Sequence, residues 1–198
     1  MDVTICISTF GDESWKTLAM TRALPSALGQ CSEIVHTHAE TLQDSRNRGA
    51  EKATGEWLVM LDADDELAPG YVDAILAASG DLRAPAVSWV TDHSATAPRT
   101  LADRNIETMN PCVIGTAIRR ELFMDLGGFW DEPAYEDFSL FRRAWLAGAV
   151  IEHVPDAVYR AWVRPGSRNQ SVRNPARLIR DIQSSHEEWN RLRIQKCG

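Results

Sequence analysis

The sequence predicts an α/β protein built on a layered central sheet, largely parallel in its first half. Short β-rich or apolar runs alternate there with segments of helical spacing. The run at 56–61, EWLVML, shows no polar alternation, as expected of a strand covered on both faces. Composition agrees: 198 residues, 44% hydrophobic and 25% charged, suit a globular chain that buries a core without disulfide or metal staples. No linker or internal repeat interrupts the chain, so a single domain over 1–198 is expected.

Taken in order, residues 3–9 (VTICIST) read as a strand ending at Phe10-Gly11-Asp12. Residues 14–24 read as a helix with Leu18, Ala19 and Leu24 on one side, closed by Pro25. A second strand spans 33–38. Residues 42–53 have helical spacing, with Gly55 as the stop. The apolar strand 56–61 runs directly into DADDE. Pro69 opens a helix reaching about residue 78, and 86–91 is a further strand. Residues 92–105 lack periodicity and are expected to form a mobile loop. A strand at 111–118 and a short helix at 120–126 lead to Gly127-Gly128. A helix over 136–146 is closed by Gly148. Two strands, 150–154 and 158–163, precede an amphipathic helix over 175–194 with Leu178, Ile182, Trp189 and Leu192 on one side.

Charge is uneven. The net −7 divides into nine Lys and Arg against three Asp and Glu from Arg160 onward, and twelve against twenty-five before it. An acidic body argues against duplex nucleic acid as a partner, because neutralising phosphates supplies most of that affinity. The basic end reads either as packing against the acidic body or as peripheral contact with an anionic membrane or a lipid-linked acceptor. No apolar run approaches the length of a membrane span, and Met-Asp followed by a strand does not read as a secretory signal. Cys6, Cys31, Cys112 and Cys197 form no CxxC pair; Cys6 and Cys112 read as buried free thiols, and a cytoplasmic location is expected.

The sharpest chemical feature is Asp62-Ala63-Asp64-Asp65-Glu66, four carboxylates at the end of a buried strand. Ligands of open α/β sheets bind outside the carboxyl ends of strands, and hard divalent cations prefer oxygen ligands. Asp62 and Asp64 can face one ion if the strand is still extended there; the alternative is a solvated acidic turn. Glu136-Asp137 opens a helix, where carboxylates serve as ordinary caps. The same position lowers a carboxylate pKa and suits a general base. Arg142 and Arg143 read as surface charges or partners of that acidic start. Arg46 reads as a phosphate grip or a solvated helix face. His36 and His38 fit a strand face, and His93, His153 and His186 show no metal-ligand spacing. Trp130 and Tyr135 are either core aromatics or sugar-stacking platforms.

The order of these motifs resembles the GT-A fold glycosyltransferases of family 2. The resemblance rests on VTICISTFGDESW, LQDSRNRGAEKATGEWLVMLDADDEL, AIRRELFMDLGGFWDEPAYEDFSLFRRAWLAG and VPDAVYRAWVRPGSRNQS, together spanning about residues 3–171. It implies a Rossmann-like nucleotide-diphospho-sugar transferase sandwich with a mixed central sheet. A donor half over about 1–100 and an acceptor and catalytic half over about 101–172 precede the helix at 173–198. Asp62-Ala63-Asp64 matches the DxD motif, whose carboxylates hold a divalent Mn²⁺ or Mg²⁺ and the donor diphosphate. Asp137 matches the general base. Thr9, Phe10, Asp12 and Arg46 match donor-site positions, and Trp130 and Glu136 fall where the acceptor is expected. Arg164 and Arg168 follow the last strand, where a loop can fold over the diphosphate. Glu40 stands where the family has an Asp-rich turn, and Trp162 where many members have a His near the metal.

The resemblance therefore implies a hexosyltransferase-type enzyme, metal-dependent and inverting, acting on a nucleotide-sugar donor and an acceptor hydroxyl. A sugar nucleotidyltransferase is the alternative, but it would need a Gly-rich basic loop where FGDESW stands. A silent nucleotide-sugar-binding protein would be expected to have lost one acidic site, and both are present.

Overall fold

A computed structural model describes residues 2–164 and 172–197. Its sheet has seven strands in the order β2-β1-β3-β6-β5-β7-β4. They are β1 Val3–Phe10, β2 Glu33–Ala39, β3 Trp57–Asp62, β4 Glu66–Leu67, β5 Leu82–Val90, β6 Ala117–Arg119 and β7 Ile151–Trp162. β1 lies parallel between β2 and β3, β6 runs antiparallel to both neighbours, and β7 is parallel to β5. The sheet is thus mixed, as expected.

Register positions the site. Phe10 pairs with Ala39 and Ser8 with Asp62, so β1, β2 and β3 all end at one edge of the sheet. Helix α3 (Leu42–Lys52) covers β1 and β2; its Gly49 lets a Cβ-sized space abut Cys6 and Thr37 at 3.4 Å. Thr41 caps it through Asp44 N–H at 3.1 Å.

Five local expectations are corrected. The first helical segment does not stop at Pro25: α1 (Ser14–Leu18) passes through a π turn at Ala19–Ala23 into α2 (Leu24–Ala27). The wider turn bypasses the hydrogen bond that Pro25, lacking an N–H, cannot make. The strand expected at 86 begins at Leu82, and the two expected after 150 are one. The register between β5 and β7 jumps from Pro85↔Val154 to Ala86↔Val158, a bulge that houses both Pro85 and Pro155. The strand expected over 111–118 shrinks to β6, because the chain before it turns and Gly115 presses on Tyr159. Residues 92–105 do not hang free: Arg99 and Ala95 bridge back to Val87 and Val90 of β5.

The remaining helices are α4 (Tyr71–Ala77), α5 (Arg120–Asp125), α6 (Glu136–Leu146) and α7 (Pro175–Cys197). Trp57 anchors the core between the guanidinium groups of Arg83 and Arg119, 3.7 and 4.6 Å from its ring centroid. α7 docks on α6 through buried Ile182 and His186, whose Nε2 meets Ser139 Oγ at 2.9 Å; Leu192, expected on the same apolar side, is exposed. Cys6, Cys31 and Cys112 are free thiols, the first and last buried. Among the described residues, no helix is long and apolar enough to cross a membrane.

Candidate active site

Arg46 sits at the centre of the site. It projects from α3 and is almost wholly buried, not the solvated face that was one reading of the sequence. Nη2 donates to Asp62 Oδ1 and Nη1 to Glu136 Oε1, each at 2.6 Å. Burial pulls its pKa down, but Asp62 and Glu136 outweigh that and hold it cationic. One guanidinium thus ties the end of β3 to the start of α6. A phosphate would have to compete with both carboxylates for it.

At the end of β3 the chain turns: Asp65 N–H donates to Asp62 O at 3.1 Å. The Asp62–Asp64 pair is therefore set by a turn rather than by an extended strand. Carboxylate oxygens of Asp62, Asp64 and Asp65 lie within 4.8 Å of one another. Asp65, which the DxD spacing does not single out, is pinned by Tyr159 Oη and Trp162 N–H, both at 2.8 Å. Burial and the neighbouring Asp62 and Asp64 raise its pKa well above the ordinary value. Asp62 is also raised, by burial first, with Arg46 opposing and Asp64 adding to the rise. Asp64 Oδ2 accepts from Arg164 Nε at 3.1 Å and forms an ion pair with its Nη2 at 2.7 Å, and the Asp64 backbone carbonyl accepts from Arg22 at 3.1 Å. Arg164 in turn lies over Trp15, 4.7 Å from the ring centroid. Arg168 lies outside the described residues. The Trp162 indole turns away from the cluster to Glu66 Oε2, at 3.2 Å, with Arg22 over its ring.

The second acidic element opens α6. Tyr135 enters the helix in the left-handed region, φ +61°, an uncommon conformation for a residue with a side chain. Asp137 Oδ1 accepts from Phe138 N–H at 2.8 Å and Oδ2 from Asn110 Nδ2 at 2.9 Å. The helix terminus was expected to lower its pKa. Instead burial, and then the Glu136 charge, raise it to about 6, with Phe138 N–H and Arg46 opposing. Asp137 opens on a cavity of about 350 Å³ lined by Trp89, Arg104, Asn110, Tyr135 and Ile179 among others. Glu136 faces Arg46, while Trp130 lies over Arg143 (4.1 Å) and edge-on to His186 and Trp189. Trp130 thus packs between α6 and α7, and Tyr135, Trp89 and Phe138 are the aromatics at the Asp137 cavity. Arg143 is no surface charge: it is buried and donates to the carbonyls of Leu126 and Gly128 at 2.5 and 2.7 Å.

On the other side of β3, Thr9 is buried and its hydroxyl donates to Thr37 O at 3.1 Å, with His36 and His38 ring nitrogens at 3.1 and 3.0 Å. It stitches β1 to β2. Phe10 stacks on Trp15 at 6.1 Å, and Asp12 caps α1 by accepting from Ser14 N–H at 2.8 Å. Beyond them a second cavity of about 370 Å³ is lined by Gly11, His38, Ala39, Glu40, Asp44 and Arg48. Ala63 is buried inside the acidic turn.

Residues 11–147 match the model of the family described as Glycosyl transferase family 2. Comparison with curated proteins found no match. Among solved structures, the chain is similar to S. aureus TarS 1–349 in complex with UDP-GlcNAc, with TM-score 0.65 and 16% identity over 94% of this chain and 66% of that one. TarS 1–349 in complex with UDP gives 0.61 and 18%, over 94% and 70%. A further TarS 1–349 structure gives 0.60 and 19%, over 82% and 60%. The chain spans about 60 to 70% of the length of these three structures. At such identities the likeness concerns the fold, whereas the family match covers both acidic elements: the chain belongs to glycosyl transferase family 2 and has the GT-A fold.

Proposed function

We propose that this chain transfers a sugar from a nucleoside-diphosphate donor to an acceptor hydroxyl, with Asp137 as the general base. The observation that carries the reading is the placement of Asp137: open to a cavity, with a pKa near 6, on a helix whose neighbouring Glu136 is tied through Arg46 to the carboxylates at the end of β3. A base must be ionised at working pH yet basic enough to accept a proton, and a value near 6 meets both needs.

In this scheme the acceptor hydroxyl proton passes to Asp137 as the oxygen attacks the anomeric carbon. The bond from that carbon to the diphosphate oxygen breaks on the far side, and the nucleoside diphosphate leaves with the electron pair. A single displacement inverts the anomeric centre. The second cavity, at the ends of β1 and β2, is the natural place for the nucleoside, with His38, Glu40, Asp44 and Arg48 as its polar side chains. TarS structures holding UDP-GlcNAc or UDP on a similar fold support a nucleotide-sugar donor.

The acidic turn fits a divalent cation such as Mn²⁺ or Mg²⁺. Three carboxylates converge, all of them oxygen donors, and burial first, then the neighbouring carboxylates, make ionised Asp62 and Asp65 costly in a way that a bound cation would relieve. Asp62 and Asp64 would hold it, with Asp65 fixed to Tyr159 and Trp162 as a buttress. When bound, such an ion supplies Lewis-acid stabilisation of the leaving diphosphate. The test is a panel of nucleotide sugars, with and without Mn²⁺, read by mass spectrometry for nucleoside diphosphate release. Release from one donor class is expected; no release from any donor, with water or with a broad set of hydroxyl acceptors, would count against the reading.

A further inference from the structure

Asn110 lies on the 91–116 segment, outside every motif discussed above, yet it touches the most important carboxylate of the site. Its Oδ1 accepts from Cys112 N–H at 3.0 Å across Pro111, an Asx turn in which the middle residue has no N–H to compete. Because a backbone N–H can only donate, the oxygen of the amide must face Cys112. The NH₂ group is then the end turned to Asp137 Oδ2, at 2.9 Å. Arg104 Nη1 holds the same residue by its backbone carbonyl at 3.1 Å, and Gln183 of α7 holds the segment through Glu107 O at 2.5 Å.

We propose that Asn110 is the positioning residue of the base: its locked amide holds Asp137 Oδ2 and stabilises the ionised carboxylate against the apolar cavity. The proposal rests on the reading of Asp137 given above. A carboxylate offers about four lone-pair sites. Phe138 N–H and Asn110 engage one on each oxygen, which fixes the plane of the group and leaves the others for an acceptor hydroxyl. The direction of the amide is decisive. A donor opposes the effects that push Asp137 toward protonation, whereas an acceptor there would add to them. The other charged or titratable groups around Asp137 are Glu136 on its own helix, Tyr135 just before it, Arg46 from α3, Asp62 from β3, and Arg104 and Cys112 from the 91–116 segment. Asn110 is the contact among these that donates directly from outside α6.

The test follows the Asp137 carboxyl by NMR in protein labelled with [¹³C]-aspartate, the resonance being assigned by its loss in Asp137→Asn. In Asn110→Ala the titration midpoint should rise by roughly one unit or more, the loss of one hydrogen bond to a charged group. In Asn110→Asp, which sets a second carboxylate against the first, it should rise further. Asn110→Ser, able to keep the turn but too short to reach Asp137, covers the case in which the alanine variant does not fold; it too should show the rise. The acid limb of kcat/KM should move by the same amount in the same direction. A midpoint unchanged in a folded Asn110→Ala or Asn110→Ser variant overturns the proposal and leaves Asp137 as base intact. Full turnover in Asp137→Asn removes the reading on which it rests, and the two failures are thereby distinct.

Discussion

Arg46 Nη2 and Asp62 Oδ1 lie 2.6 Å apart, and the other Nη of the same guanidinium is 2.6 Å from Glu136 Oε1. This one buried cation therefore neutralises a carboxylate on each side of the cleft. It sets the acidic turn after β3 at a fixed distance from α6, and hence from Asp137. A planar fork with donors at both ends suits that task better than a point charge does.

Removing Arg46 takes the buried cation away from both Asp62 and Glu136. Arg46→Met should destabilise the fold by about 3–5 kcal/mol, measured by urea unfolding at pH 7. Arg46→Lys should recover only part of this. A loss below about 1 kcal/mol for Arg46→Met would mean that the bridge contributes little.

Asp137 gives a prediction with a definite sign. Its pKa is about 6 in the fold against an ordinary 3.8, so the folded chain binds this proton more readily than the unfolded one. Its contribution to stability is present below about pH 3.8 and is lost as pH rises through 6. Asp137→Asn should accordingly stabilise the protein at pH 7.5 by on the order of 2 kcal/mol. The gain should vanish near pH 4. Thermal melting of both proteins across that range checks it; a gain that grows toward acid pH has the wrong sign for this account.

Asp64 is shared between Arg164 and any cation at the turn. Arg164 is partly exposed, and such a pair is worth at most about 1 kcal/mol. Arg164→Met should therefore tighten Mn²⁺ binding up to about five-fold, read by electron paramagnetic resonance without donor. Asp64→Asn should abolish it. Equal Mn²⁺ affinity in Asp64→Asn and the parent protein would refute the assignment of the ion to this turn.

Gly115 is a backbone contact that reaches the site indirectly. An added Cβ would collide with the Tyr159 ring, and Tyr159 Oη holds Asp65. Gly115→Ala should lower stability by about 1–3 kcal/mol through overpacking and weaken Mn²⁺ binding as Asp65 shifts. An unchanged melting temperature would show that the ring can give way freely.

What the sequence reveals and what it hides divide along the range of the interactions. Asp62, Asp64 and Asp137 are legible as candidates because composition and position meet: carboxylates at the end of a buried strand and at the start of a helix. The role of Arg46 is not, since one of its two partners lies 90 residues away and helix periodicity says nothing about what a charged face will meet. Asn110, 27 residues from Asp137, lies between the aperiodic 92–105 segment and the strand expected from 111, where no motif assigns it a role. Arg143 illustrates the same limit, because a buried guanidinium capping the carbonyls before it looks in sequence like any helix-surface charge. The strands divided at Pro85 and Pro155 fail for another reason. Each proline breaks a pattern locally, and pairing of the two breaks in one bulge exists only in the sheet.

In the proposed function, donor handling and proton removal reside in separate acidic elements held together by Arg46. The most direct measurement compares the parent protein with Asp137→Asn in two assays: calorimetric binding of the nucleotide sugar that supports turnover, and the rate of nucleoside diphosphate release with acceptor. The prediction is donor affinity within about two-fold of the parent and a rate lower by about 10²–10⁴. Transfer at the parent rate, or loss of donor binding along with transfer, would contradict it.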